Sequence, residues 1–175
     1  MRAALPQGFP LLLAGGIAER TDVQQALDEA GASAVTAGTR FLLSEESRAH
    51  PEYKRRLIGA DETILTELFG AGWPAPHRVV ANAATEHWLA GDPRGPVLNR
   101  ALNRATALGS RYTPASIQQR IAKAQRPASR MLSPAGPTDD GPANLLDAGP
   151  LYAGQTVARI ADVRPAAEIV RALTP

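Results

Sequence analysis

Two short glycine-containing segments carry the clearest chemical signal in this chain. Gly15-Gly16 ends the apolar run Leu11-Leu12-Leu13-Ala14, and Gly38-Thr39 ends a second apolar stretch, Ser33 to Ala37. Glycine lets a backbone come close to a ligand, and the exposed N–H groups of such a turn form a concavity suited to phosphate. Thr39 adds a hydroxyl donor, and Arg40 after it is placed to pair either with a phosphate or with a nearby carboxylate. Two parallel strands joined by one helix set their C-terminal turns side by side. In barrels of alternating strands and helices, the loops after the last two strands often hold a ligand phosphate in this way. Gly15-Gly16 alone would serve equally as a tight strand-to-helix turn, so the argument rests on the pair.

Other chemistries find little support. The three histidines are His50, His77 and His87, and no two stand at His-x-x-x-His spacing, so no metal site is expected. His50 precedes Pro51 and reads as an outer-shell structural residue. His77 and His87 fall in a region expected to be helical, His87 beside Trp88 as a solvated or core-edge residue. Cysteine is absent, which removes disulfides, thiolate nucleophiles and Cys-ligated metal. No Gly-x-Ser-x-Gly elbow exists for a serine hydrolase. No catalytic residue is therefore assigned.

The elements that position the glycine turns are legible. Leu11 to Ala14 reads as a strand buried on both faces, as in a parallel sheet. Thr21 and Gln24 have capping-box spacing, Val23, Ala26, Leu27 and Ala30 follow at helical spacing, and Gly31 sits where a left-handed cap belongs. Ser33 to Ala37 predicts the next strand, and Ser44 with Glu45 and Glu46 predicts a capped helix. This is one and a half βαβ units and points to α/β architecture. Beyond Asp61, helical patterns at Glu62 to Phe69 and Pro114 to Arg126 alternate with loops, and no further strand is expected before Gly149. Pro127 to Pro150, rich in Pro and Gly, reads as irregular. Order returns with Val157, Ile160 and Ala161, then Pro165 at a first helical position with Ala166, Ile169, Val170 and Leu173 on one face. Lys54-Arg55-Arg56 reads as a solvated helix face.

Bulk properties agree with a folded protein of modest size. The chain has 175 residues, 44% of them hydrophobic and 21% charged. A net charge of +2, from 19 basic and 17 acidic side chains, argues for neither nucleic acid nor anionic membrane as partner. The apolar run near the N-terminus is too short for a signal segment, and nothing approaches the roughly 20 apolar residues of a membrane span. A cytoplasmic protein is the expectation.

Leu12-Leu13-Ala14-Gly15-Gly16-Ile17-Ala18 followed by Ala37-Gly38-Thr39-Arg40-Phe41 resembles the nitronate monooxygenase family, formerly the 2-nitropropane dioxygenases. The resemblance continues through Ser44-Glu45-Glu46-Ser47 and Ala49-His50-Pro51-Glu52-Tyr53-Lys54. It resumes at Pro150-Leu151-Tyr152-Ala153-Gly154-Gln155 and Arg164-Pro165-Ala166-Ala167-Glu168. It implies the C-terminal part of an FMN-binding (β/α)8 TIM barrel, with its last two strands and following helices, plus a mostly helical subdomain. It assigns Gly15, Gly16, Gly38 and Thr39 to the FMN phosphate pocket, and it suggests that Tyr152 or Gln155 hydrogen-bonds flavin or lines the pocket, unless that segment is simply a helix-entry turn. Residues 1–60 then hold the last two βα units, 61–149 the substrate-side region and 150–175 a segment returning to the barrel. The implied activity is oxidation of alkyl nitronates with molecular oxygen.

Such barrels need about 250 residues. The family's histidine base belongs to an earlier part of the barrel, so the chain is expected to be an incomplete enzyme, either a truncated product or one half of a split barrel completed by a second chain. Another TIM-barrel flavoenzyme, of the flavin-type enoyl-acyl carrier protein reductase kind, and a non-catalytic half-barrel module are the alternatives.

Overall fold

The computed structural model describes residues 6, 8–110 and 112–175. The expectation that the N-terminus holds no signal segment falls in part on residues 1–5, which lie outside the described residues.

β1 (Leu12–Ala14) and β2 (Ala34–Thr36) pair in parallel, with Leu12 opposite Ala34, Leu13 opposite Val35 and Ala14 opposite Thr36. α1 (Arg20–Asp28) connects them. Strand alternation sends Leu13 and Val35 to one face. There they pack with Ile17, Val23 and Ala26 and with Ile169 and Leu173 of α8 (Ala166–Leu173). The other face is bare: Ala14, Ala34 and Thr36 are exposed, and Leu12 keeps 65% of its surface. The expected double-sided burial of the first strand is therefore corrected to single-sided burial. α1 and α8 supply one layer, and among the described residues nothing covers the opposite side.

The start of α1 also differs from expectation. Asp22, not Gln24, closes the cap: its Oδ2 accepts from the amides of Ala18 at 2.8 Å and Glu19 at 2.9 Å. A short carboxylate one turn in reaches those amides directly. Gly31 does adopt the left-handed conformation, with φ +65°.

α2 (Gly38–Leu42) follows β2 at once, and the helix expected from Ser44 is absent. Ser44 instead forms a parallel bridge with Arg164, and the Glu45 amide donates to the Arg164 carbonyl. Those long-range backbone bonds outweigh a local cap. Glu46 accepts from the Ala166 amide and so caps α8 rather than its own segment. The helix begins later, as α3 (Pro51–Ile58), with His50 at its N-cap accepting from the Glu52 amide through Nδ1.

The middle region contains strands that sequence periodicity does not show. β3 (Ile64–Thr66), β4 (His77–Val80) and β5 (Leu151–Tyr152) form an antiparallel sheet in the order β3-β4-β5. The helix expected over Glu62 to Phe69 is thus corrected to a strand, and His77 lies on a strand, not a helix. Each strand is four residues or fewer, too short for alternation to register. α4 (Ala83–Trp88), α5 (Val97–Ser110), α6 (Ala115–Ala124) and the short α7 (Leu145–Ala148) complete the region. β5 joins the C-terminal segment to the middle one. Leu151, Val157 and Ile160 then share a buried cluster with Val80 and with Leu43, Tyr53 and Leu57.

Pro165 occupies the N-cap of α8 rather than its first turn, and Val170 faces solvent while Ile169 and Leu173 are buried. The basic run of α3 is more engaged than a solvated face. Arg56 binds Glu52, Asp147 and the Leu146 carbonyl, Lys54 donates to the Ser44 carbonyl, and only Arg55 stays on the surface with Glu52. Among the described residues, no helix is long and apolar enough to cross a membrane.

Candidate functional site

Parallel pairing places both glycine turns at one end of the β1–β2 sheet, as the spacing predicts. Gly15 and Gly16 adopt φ of +91° and +79°, a region that side chains disfavour. A Cβ built on Gly15, Gly16 or Gly38 would meet no atom within 4 Å. These three residues are therefore not glycine because protein packs against them. They border open space that a ligand can approach.

Two hollows adjoin this end. One, about 460 Å³, is lined by Gly15 and Gly16 with Asp22 and Gln25 of α1 and Glu29 at its C-cap. The other, about 290 Å³, lies among Arg40, Arg159, Asp162, Arg164 and α8. Neither takes in Gly38, and the first carries acidic side chains unsuited to an anion.

Around the turns, side chains are held firmly. Thr39 Oγ1 accepts from the Gly154 amide at 2.8 Å, which commits its oxygen and leaves its hydrogen to donate. Arg40 resolves its two sequence readings in favour of a carboxylate. Its guanidinium is buried and donates to Asp162 Oδ1 at 2.8 Å and to the Asp162 carbonyl at 2.9 Å. Arg159 donates to both carboxylate oxygens of Asp22, at 3.0 and 2.9 Å, and to the Gly16 carbonyl at 3.1 Å. Partial burial works to raise the Asp22 carboxyl, but the bonds from Arg159 and from the Ala18 and Glu19 amides hold it below its ordinary value.

Tyr152 is placed as a structural residue. Its hydroxyl donates to the Pro134 carbonyl at 3.0 Å, and its own carbonyl accepts from the buried Tyr53 hydroxyl at 2.7 Å. Gln155 is exposed at the start of a 3-10 helix (Gln155–Arg159) just past Gly154. No histidine joins the turns. His50 caps α3, His87 is exposed with its ring edge-on to Trp88, and His77 is buried in β4 among Phe69, Trp73 and Tyr152. Burial pushes the His77 imidazole below its ordinary value, with Nδ1 donating to the Ala75 carbonyl. Among the described residues, no group of three or more His, Asp or Glu is arranged to hold a metal ion.

Sequence reasoning missed Asp22, Gly154 and Arg159. Gly154 and Arg159 stand 115 and 143 residues from their partners Thr39 and Gly16, so no local spacing could reveal them. Asp22 had a visible signal, a carboxylate in the first turn after a glycine loop, but Thr21 competed for the same role.

The chain is similar to several known proteins. Nitroalkane oxidase from Streptomyces ansochromogenes superposes with a TM-score of 0.63 at 26% identity, covering 98% of this chain and 40% of that one. FabK from Thermotoga maritima gives 0.58 at 24% identity, over 95% and 43%, a likeness of fold. Nitronate monooxygenase npaC of Metarhizium robertsii is 38% identical over 78 residues, 39% of this chain and 22% of that protein. A probable nitronate monooxygenase of Bacillus subtilis is 38% identical over 76 residues, with the same coverage. The chain thus spans less than half the length of these relatives. The family model for nitronate monooxygenase matches residues 1–175, and the chain belongs to that family.

Proposed function

We propose that this chain carries the phosphate anchor of an FMN-dependent oxidoreductase that oxidises alkyl nitronates with molecular oxygen. FMN is the cofactor of the family. The observation that carries the reading is the pair of glycine turns, open to a ligand and brought to one end of a parallel sheet. Gly15, Gly16 and Gly38 let the backbone come up to the phosphate, and the Thr39 hydroxyl donates to it. Bound FMN would supply the electron acceptor. The protein's share is to orient it and to keep water and competing reactions away.

The general base belongs to residues outside this set, since none of the three histidines lies at the turns. The bare face of β1 and β2, with Leu12 exposed, fits the inner wall of a barrel whose other strands add to the open edges of this sheet. Those strands come from a longer form of this chain or from a second one. Coverage of only 40% of the nitroalkane oxidase chain supports that reading.

The test is the visible spectrum of the purified chain after incubation with FMN and desalting. Retained flavin bands near one equivalent are expected, and a colourless protein overturns the anchor assignment. Oxygen uptake with an alkyl nitronate is then expected only when the remaining strands are supplied. An enoyl thioester with reduced nicotinamide serves as the contrasting substrate, because the FabK likeness carries the fold but no activity. Turnover of the thioester instead would move the chain to the reductase reading.

A further inference from the structure

Both glycine turns are tied to the same short segment. Gly154 donates its amide to Thr39 beside Gly38, and Arg159, five residues on, bridges Asp22 and the Gly16 carbonyl. Asp22 in turn holds the Ala18 and Glu19 amides, so one guanidinium–carboxylate pair fixes three backbone groups of the first turn. Between the two anchor points, Thr156 and Val157 are buried, and Val157 with the following Ile160 joins the cluster around Leu43, Tyr53 and Leu57. The segment is therefore held by the core and is not a surface strap.

Its chemistry suits a spacer. Gly154 permits close approach to Thr39: a Cβ there would stand 3.3 Å from Oγ1, tighter than ordinary contact. Arg159 is the right residue for the other end, because a planar fork can meet both Asp22 oxygens and a carbonyl together, which a lysine cannot. The pair is 44% and 17% exposed, so screening limits its electrostatic worth and its value is geometric.

We propose that residues 154–159 clamp the two glycine turns at a fixed separation, with Arg159 and Asp22 as positioning residues, and that this clamp gives the site its preference for a phosphorylated flavin over the unphosphorylated one. The proposal rests on the FMN-anchor reading. A phosphate must meet both turns at once, whereas the ring system of riboflavin makes no demand on their spacing. With its oxygen accepting from Gly154, the Thr39 hydroxyl keeps its hydrogen free to donate to a phosphate.

The experiment compares FMN and riboflavin binding by flavin fluorescence for the full chain and for Arg159→Ala, Thr39→Val and Thr39→Ser. Arg159→Ala and Thr39→Val are expected to weaken FMN about tenfold while leaving riboflavin within about twofold, and Thr39→Ser to restore FMN binding. In parallel, amide hydrogen exchange on the ligand-free protein is expected to quicken over residues 15–19 in Arg159→Ala and to stay unchanged over residues 53–57. An unchanged FMN-to-riboflavin ratio, equal loss of both ligands, or unaltered exchange at residues 15–19 overturns the clamp. If the unaltered chain binds neither flavin, the anchor reading fails, and the exchange measurement alone decides whether the clamp exists. Should Arg159→Ala not fold, Arg159→Lys keeps the charge without the fork and is read by the same ratio.

Discussion

Gly16 and Gly38 look alike in sequence, each ending an apolar strand, yet they should respond oppositely to alanine. Gly16 sits at φ +79°, whereas Gly38 is outside the left-handed region, and neither would bring a Cβ within 4 Å of another atom. With no clash at either site, only backbone strain and unfolded-state entropy remain. Gly16→Ala must hold a Cβ in the left-handed region, at a cost of about 1–2 kcal/mol. Gly38→Ala keeps a compatible backbone and loses unfolded-state freedom, a gain of about 0.4–1 kcal/mol. For a chain of this size each kcal/mol moves the melting midpoint by about 2–4 °C, so Gly16→Ala should melt roughly 2–8 °C lower and Gly38→Ala slightly higher. Binding should separate from stability, because both methyl groups enter the space reserved for phosphate. FMN affinity is expected to fall about tenfold or more in each, including the stabilised Gly38→Ala. Thermal unfolding with an FMN titration on the same preparations checks both halves. Equal destabilisation of the two variants would refute the backbone argument, and full FMN affinity in Gly38→Ala would refute the cradle.

Three further outcomes are expected. Because burial lowers the folded-state value of His77, the unfolded chain binds more protons in the window below its ordinary value of 6.5. Stability should therefore be complete above that value and fall as pH drops through the window toward the lowered one. Urea midpoints from pH 8 to 5 measure this, and a His77→Phe variant should flatten the slope. Asn99 is 1% exposed with neither amide atom hydrogen-bonded to protein, so Asn99→Leu should stabilise by about 1–3 kcal/mol in urea unfolding. A loss instead would show that the amide has a partner such as ordered water. Leu12→Lys, on the bare face of β1, should leave the melting midpoint within about 1 °C yet reduce self-association in light scattering. A large loss of stability would mean that Leu12 is packed after all.

The parts of this protein that sequence alone determined are those governed by neighbours. Apolar runs ending in glycine define β1, β2 and their turns, and the periodic faces of α1, α6 and α8 were visible because a helix repeats within a few residues. Gly15-Gly16 and Gly38-Thr39, together with the segments around Ser44 to Lys54, Pro150 to Gln155 and Arg164 to Glu168, pointed to the family. What only the tertiary structure decided depends on partners far along the chain. Ser44 to Glu46 look like a helix start, but backbone bonds to Arg164 and Ala166 draw them into other roles. The short strands β3, β4 and β5 exist only because they pair with one another. Arg40 was balanced between phosphate and carboxylate until Asp162 came beside it, and Arg159 had no role until the fold set it against Gly16. Local propensity is written over a few residues, whereas hydrogen-bond partners more than a hundred residues away are chosen by packing, and that choice shapes the site.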